Sequence, residues 1–293
     1  MDTALSQLGE NEILSRLLRQ LRPSAPMLVG PGDDCAVVTR NDEWDTLLKT
    51  DVVVEGVHFL RETEPRRIGR KALARAISDI AAMGGIPEHA LITILVHSKR
   101  SVHLLEELYT GISEMAAMFG VSVAGGETSS LPYDGMVINV ALTGRVERGK
   151  AILRSGGIPG DIICVSGPLG GSFPSEHHLD FIPRVELARA LMNRGTLPSA
   201  MMDLSDGLAA DLPRLATACQ CGFELEEKSI PVNTGCNVLQ ALNDGEDYEL
   251  LMTFSPESLH LQETLSELSL IPIGKLTKNV NNTLTGGWQH FVH

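Results

Sequence analysis

The stretch PRRIGRKALARAISDIAAMGGIPEHALITILV, residues 65–96, sets the architecture. Pro65 suits the first turn of a helix, where its missing N–H costs nothing. Ile68, Leu73, Ile77 and Ile80 then recur at helical spacing and predict an amphipathic helix to about Met83. Gly84-Gly85-Ile86-Pro87 stops it, and Ala90–Val96 reads as a buried strand. Helix followed by strand recurs on both sides of this segment. Residues 11–21 form a helix with Ile13, Leu14, Leu17, Leu18 and Leu21 on one stripe, and Leu47–Val54 and Met136–Val146 read as strands. Ser101 opens a helix that Gly120 ends, and a short strand, residues 121–123, runs into Gly125-Gly126.

A second half begins near Glu147. Ile162–Val165, Ala200–Met202, Tyr248–Phe254 and Leu270–Leu276 read as strands. Helices are predicted from Pro183 to about Asn193, from about Leu208 to Cys219, and over Thr234–Leu242 and Pro256–Leu268. The mixture lacks the strict alternation of a doubly wound sheet. It predicts two α+β domains, 1–148 and 149–293.

The 37 acidic residues outnumber the 24 basic ones, leaving a net charge of −13 and no basic cluster to track a nucleic acid. No apolar run approaches the ~20 residues that span a bilayer. Asp2, Glu10 and Glu12 stand where a signal peptide would be basic. Five scattered cysteines suggest a reducing compartment, so a cytoplasmic location is expected.

Asp33, Asp34, Asp51, Asp79, Glu127, Asp203 and Asp206 sit at strand ends or helix starts beside Gly, Ser or Thr. Carboxylates gathered on one rim raise each other's pKa unless cations join them. Mg²⁺ commonly links one or two carboxylates to substrate phosphates. An Asp beside Gly is also ordinary turn and cap chemistry, so each acid alone has a structural alternative. Gly30-Pro31-Gly32, Gly125-Gly126 and Gly167–Gly171 can bring backbone N–H groups to phosphate oxygens. No Walker P-loop, no G-x-G-x-x-G after a strand, and no H-R-D or D-F-G is present, and no nucleophile stands in a catalytic frame. Direct metal-assisted phosphoryl transfer remains, since it needs no protein nucleophile.

Seven motifs occur in order. They are Gly30-Pro31-Gly32-Asp33-Asp34-Cys35-Ala36, Lys49-Thr50-Asp51 with Glu55-Gly56-Val57-His58-Phe59, Ser78-Asp79-Ile80-Ala81-Ala82-Met83-Gly84, Gly125-Gly126-Glu127-Thr128, Leu153-Arg154-Ser155-Gly156, Met202-Asp203-Leu204-Ser205-Asp206-Gly207-Leu208 and Asp244-Gly245-Glu246-Asp247-Tyr248-Glu249-Leu250. The series resembles the thiamine-monophosphate kinase family, within the aminoimidazole ribonucleotide synthetase-like superfamily. The resemblance implies a two-domain α+β fold whose N-terminal domains form a shared β-barrel across a homodimer. It implies ATP as co-substrate, several Mg²⁺ ions, and thiamine monophosphate as phosphoryl acceptor. Carried over by motif, Asp34, Thr50, Asp51, Asp79, Glu127, Asp203 and Asp206 are expected metal ligands, with Asp51 and Asp206 the principal catalytic candidates. Tyr109, Gly126, Arg154 and Ser205 are expected ATP contacts, and His58, Glu246 and Trp288 substrate contacts.

Two departures stand out. Glu127 replaces the family's usual Asp, and Lys49 replaces a small hydroxyl residue before Thr-Asp. The Lys49 ammonium either stands in for one metal's charge or points away. A related ATP-dependent synthetase and a catalytically silent nucleotide-binding dimer are the alternative readings.

Overall fold

A computed structural model describes residues 5–8, 10–21, 25–258, 260–280, 284–288 and 290. The N-terminal half runs α1 (Glu10–Leu18), β1 (Met27–Val29), β2 (Ala36–Thr39), β3 (Trp44–Val54), α2 (Pro65–Ala82), β4 (Ile86–His97), α3 (Val102–Phe119), β5 (Ser122–Leu131) and β6 (Met136–Glu147). Its six strands lie in the order β1-β2-β3-β6-β4-β5. All neighbours are antiparallel except β4 and β5, which the α3 crossover makes parallel. The C-terminal half runs β7 (Ile162–Val165), α4 (His177–Asp180), α5 (Val185–Arg194), β8 (Ala200–Asp203), α6 (Leu208–Ala218), β9 (Gly222–Leu225), α7 (Val238–Asn243), β10 (Leu250–Phe254), α8 (Leu261–Glu267) and β11 (Ile271–Thr277). Its antiparallel sheet has the order β8-β10-β7-β11-β9.

The helix read from residue 65 is α2, with Pro65 in its first turn. The start and stop of α3 follow from its ends. Ser101 accepts the Leu104 N–H, and Gly120 closes the helix in the left-handed region at φ 67°. Gly69 and Gly111 let α2 and α3 touch backbone to backbone. A Cβ on either would lie about 2 Å or less from a carbonyl oxygen of the other helix. α2 also packs on β3 and β6, and across the halves on α4, α5 and β8. One hydrophobic core therefore runs from Ile77 and Ile92 to Leu191, Met201 and Phe254. Double-sided packing buries even Ser78 and Asp79 on α2.

Local reading fell short in places. Residues 122–131 form a full strand rather than three residues and a loop. Their glycines and small polar residues carry no strand signal, and parallel pairing with β4 supplies the structure instead. β4 starts at Ile86, inside the segment read as a stop. The short β1, β9 and α4 gave too few residues to show a period. The helix expected over 256–268 is confined to Leu261–Glu267.

Among the described residues, α2 and α3 pack on the N-terminal sheet. Along β3, Leu47 and Val53 are buried, while Leu48, Thr50 and Val52 are exposed on the other face, as is Leu91 on β4. Among the described residues of one chain the sheet ends at β1 and β5 and does not close into a barrel.

Candidate active site

Three carboxylates from distant parts of the chain converge between the sheets. Asp34 precedes β2, Asp79 lies on α2 and Asp203 ends β8. One oxygen from each lies within 4.8 Å of the others, and all three side chains are buried. Lys49 donates to Asp79 at 2.7 Å, Arg154 to Asp34 at 2.6 Å and Ser78 to Asp203 at 2.6 Å. The Arg154 backbone N–H also holds Asp33. Burial, then the charge of Asp34, pushes Asp203 up to about 6. Burial likewise raises Asp79 well above the carboxylate range, against the pull of Lys49. The Oδ2 atom of Asp34 is buried with no hydrogen-bond partner. An orphaned carboxylate oxygen amid crowded acids fits a hard divalent cation such as Mg²⁺, which takes oxygen ligands.

The cluster opens into a cleft of about 920 Å³ lined by residues of both halves, among them Asp51, Asp79, Arg154, Asp203, Ser205 and Asp206. That volume lies toward the upper end of the roughly 300–1,000 Å³ typical of ligand pockets. Asp51 is paired with Arg75 of α2 at 3.2 Å, and Asp206 with Arg214 of α6. The loop carrying Ser205 and Asp206 is shaped by Asp211, a residue that the motif reading passed over. Its Oδ2 accepts the N–H groups of Ser205 and Asp206 at 3.1 and 3.0 Å, and its Oδ1 meets Arg214 at 2.8 Å. Burial, with Asp206 adding to it, pushes Asp211 up to about 7. The available signal was a third Asp one helical turn beyond Gly207.

A second cavity, about 270 Å³, adjoins the first. Its lining includes His58, Phe173, Glu246, Tyr248 and Trp288, and it shares Arg75, Ser205, Asp206 and Tyr248 with the large cleft. The three expected substrate contacts, His58, Glu246 and Trp288, thus meet in one place. The Trp288 backbone N–H donates to the Asp206 carbonyl at 2.8 Å, tying the tail to the loop. Glu246 is held by Lys71 at 2.6 Å and His178 at 3.1 Å. Burial works to raise it, but the His178 hydrogen bond and Lys71 outweigh burial and hold it at about 2. Lys71, fully buried on α2, was not foreseen as part of the site. Glu246 and Tyr248 both adopt positive φ, 64° and 52°, a conformation that costs non-glycine residues energy and clusters at functional sites. His58 Nδ1 accepts the Val54 N–H, leaving Nε2 to carry the proton. Burial, then Arg75, lowers His58 to about 4.

Four expected site residues lie outside the aspartate cluster and line neither cavity. Thr50 points to the open face of the sheet and donates to Asn139, opposite to its neighbour Asp51. Gly126 and Glu127 are on the exposed edge strand β5, across β6 and β4 from β3. Tyr109 is exposed on α3.

Comparison with known proteins matches residues 32–146 to the AIR synthase related protein N-terminal domain and residues 174–286 to its C-terminal domain. The thiamine-monophosphate kinase of Rhodopirellula baltica is 33% identical over 96% of this chain and 92% of its own length. That of Bacillus subtilis is 35% identical over 85% of this chain and 84% of its own. Among solved structures, AaThiL complexed with AMPPCP and TMP superposes with a TM-score of 0.87 at 29% identity, covering 99% of both chains. Thiamine monophosphate kinase from Aquifex aeolicus gives 0.77 at 28% identity, covering 94% of this chain and 95% of the other.

Two domains of the AIR synthase related type, with buried carboxylates where they meet, define the class of this protein. Within that class, the chain belongs to the thiamine-monophosphate kinase family.

Proposed function

We propose that the protein transfers the terminal phosphoryl group of ATP to thiamine monophosphate, giving ADP and thiamine diphosphate. The observation that carries this reading is the common wall of the two cavities, Arg75, Ser205, Asp206 and Tyr248. A donor phosphate in the large cleft and an acceptor phosphate in the small one would meet there. The relatives' shared name and the solved complex with AMPPCP and TMP support the assignment.

In this reading Arg154 and Ser205 bind the nucleotide, while His58, Glu246 and Trp288 hold thiamine monophosphate. Arg75 and Arg214 orient Asp51 and Asp206 beside the reacting phosphates. Asp34, Asp79 and Asp203, with Asp51 and Asp206 nearby, would hold Mg²⁺. Bound there, Mg²⁺ supplies neutralisation of phosphate charge. The acceptor phosphate is already largely ionised at neutral pH, its second pKa being ~6, so no strong general base is needed. The chain's work is alignment and charge placement. Thr50, Tyr109, Gly126 and Glu127 belong to the reading through their motifs.

A homodimer with a barrel shared between N-terminal domains is part of the proposal. The exposed sheet face with Leu48, Val52 and Leu91, and the place of β5 at the sheet's edge among the described residues, support it. Division into units 1–148 and 149–293 is also proposed, supported by the end of the first sheet's last strand at Glu147 and the start of the second sheet's first strand at Ile162. Cytoplasmic residence is proposed from five unpaired cysteines. No helix among the described residues is long and apolar enough to cross a membrane.

The test is ADP release coupled to thiamine diphosphate formation, with Mg²⁺ and with EDTA. Turnover that requires both thiamine monophosphate and the metal is expected. Full turnover in EDTA, or none with thiamine monophosphate and Mg²⁺, would overturn the reading.

A further inference from the structure

Lys49 does not point away from the carboxylates. It shares the inward face of β3 with Asp51, two residues along the same strand, and its ammonium lies 2.7 Å from Asp79 Oδ1. The side chain is about one-fifth exposed and lines the large cleft, so the ion pair sits within the site rather than on its rim.

We infer that Lys49 is a built-in cation of the phosphate-binding centre, occupying on Asp79 the place that a divalent ion would otherwise take. The nucleotide-free chain then holds one divalent ion fewer than it would with a small hydroxyl residue at position 49.

The charges account for this. With all three ionised, as metal ligation requires, Asp34, Asp79 and Asp203 would bring three negative charges into a space where their oxygens lie within 4.8 Å. Arg154 on Asp34 and Lys49 on Asp79 return two positive ones, leaving a surplus of one. Removal of the Lys49 charge leaves a surplus of two, matched by one divalent ion. Buried like charges at this spacing are costly unless compensated. A tethered ammonium compensates without the entropy loss of capturing an ion, but it also blocks Asp79 Oδ1 as a ligand. Asp34 Oδ2, which has no hydrogen-bond partner, remains for metal delivered with the nucleotide.

The inference rests on the reading of these aspartates as the metal-holding group. Its test therefore counts metal apart from catalysis. Mn²⁺ is titrated into nucleotide-free protein and the free ion followed by electron paramagnetic resonance, for wild type, Lys49→Ser, Lys49→Met and Lys49→Arg. Lys49→Ser should bind one more Mn²⁺ per chain than wild type, and Lys49→Arg should keep the wild-type number. The melting temperature of Lys49→Ser should be lower than wild type in EDTA and should rise more on adding Mn²⁺. If Lys49→Ser does not fold at all, Lys49→Met, close to lysine in shape and uncharged, is read in its place and should gain the same ion. Equal Mn²⁺ numbers in wild type and the folded neutral variant would overturn the inference.

Thiamine diphosphate formation on the same wild-type samples separates the two readings. Turnover with equal counts removes the role of Lys49 and leaves the reaction standing. A gained ion without wild-type turnover keeps the role of Lys49 and removes the kinase assignment.

Discussion

Asp211 Oδ2 accepts the backbone N–H of Asp206 at 3.0 Å, so one buried carboxylate fixes the position of another that faces the cleft. The two acids lie five residues apart, and Arg214 bridges their side chains. Their substitutions should part company. Asp206→Asn keeps shape and loses charge, and should lower kcat by about 10²-fold or more with a nearly unchanged melting temperature. Asp211→Ala strands two N–H donors and a partly buried guanidinium, and should cost ~3 kcal/mol of stability. Parallel melting curves and initial rates decide. An Asp206→Asn enzyme within a few-fold of wild type would make Asp206 a turn residue only.

Trp288 lines the small cavity with His58 and Glu246. A ring against a cationic thiazolium is worth ~0.5–2 kcal/mol, up to roughly thirty-fold in affinity. Trp288→Ala should raise KM for thiamine monophosphate and leave KM for ATP nearly unchanged. Equal weakening for both substrates together with a lower melting temperature would mean that the indole merely anchors the tail.

His58 is held neutral, its pKa lowered to about 4 from an ordinary 6.5. Between these values the unfolded chain binds the proton that the folded chain refuses. This contribution to stability is therefore complete above about pH 6.5 and is lost as pH falls toward 4. His58→Asn retains an acceptor for the Val54 N–H and removes the titration. Its melting temperature should fall less than that of wild type between pH 7 and pH 5, measured under identical salt. Parallel pH profiles for the two proteins would disprove the assignment.

The exposed face of the N-terminal sheet yields a prediction about assembly. Light scattering should give roughly twice the 31.6 kDa chain mass. Leu91 is half exposed on that face, away from the helices. Leu91→Glu should therefore shift the mass to that of one chain while far-ultraviolet circular dichroism stays unchanged. A fully active wild-type monomer would contradict the shared barrel.

Glu127 stands exposed on β5, where the family resemblance implies an aspartate. Glu127→Asp should keep or raise activity, and Glu127→Ala should lower it severely. Steady-state rates over a Mg²⁺ series are the measurement, and an active alanine variant would take Glu127 off the metal set.

Much of this protein was written in short-range pattern. The 3.6-residue recurrence of Ile68, Leu73, Ile77 and Ile80, the Ser101 cap and the Gly120 stop each depend on neighbours within a turn or two, so α2 and α3 were legible from the chain alone. The seven ordered motifs also carried the family, because chemistry restricts residue choice at each of them. What reading along the chain could not supply was placement. Thr50 and Asp51 are adjacent in one motif, yet the alternation of β3 sends them to opposite faces, and only Asp51 reaches the cleft. Asp34, Asp79 and Asp203 meet because α2 is packed between the two sheets, and that same packing delivers Lys71 to Glu246 and Ser78 to Asp203. Lys49 had two open readings in the sequence. The distance to Asp79 chose between them, since proximity across a fold is set by the packing of the whole core and by no local pattern.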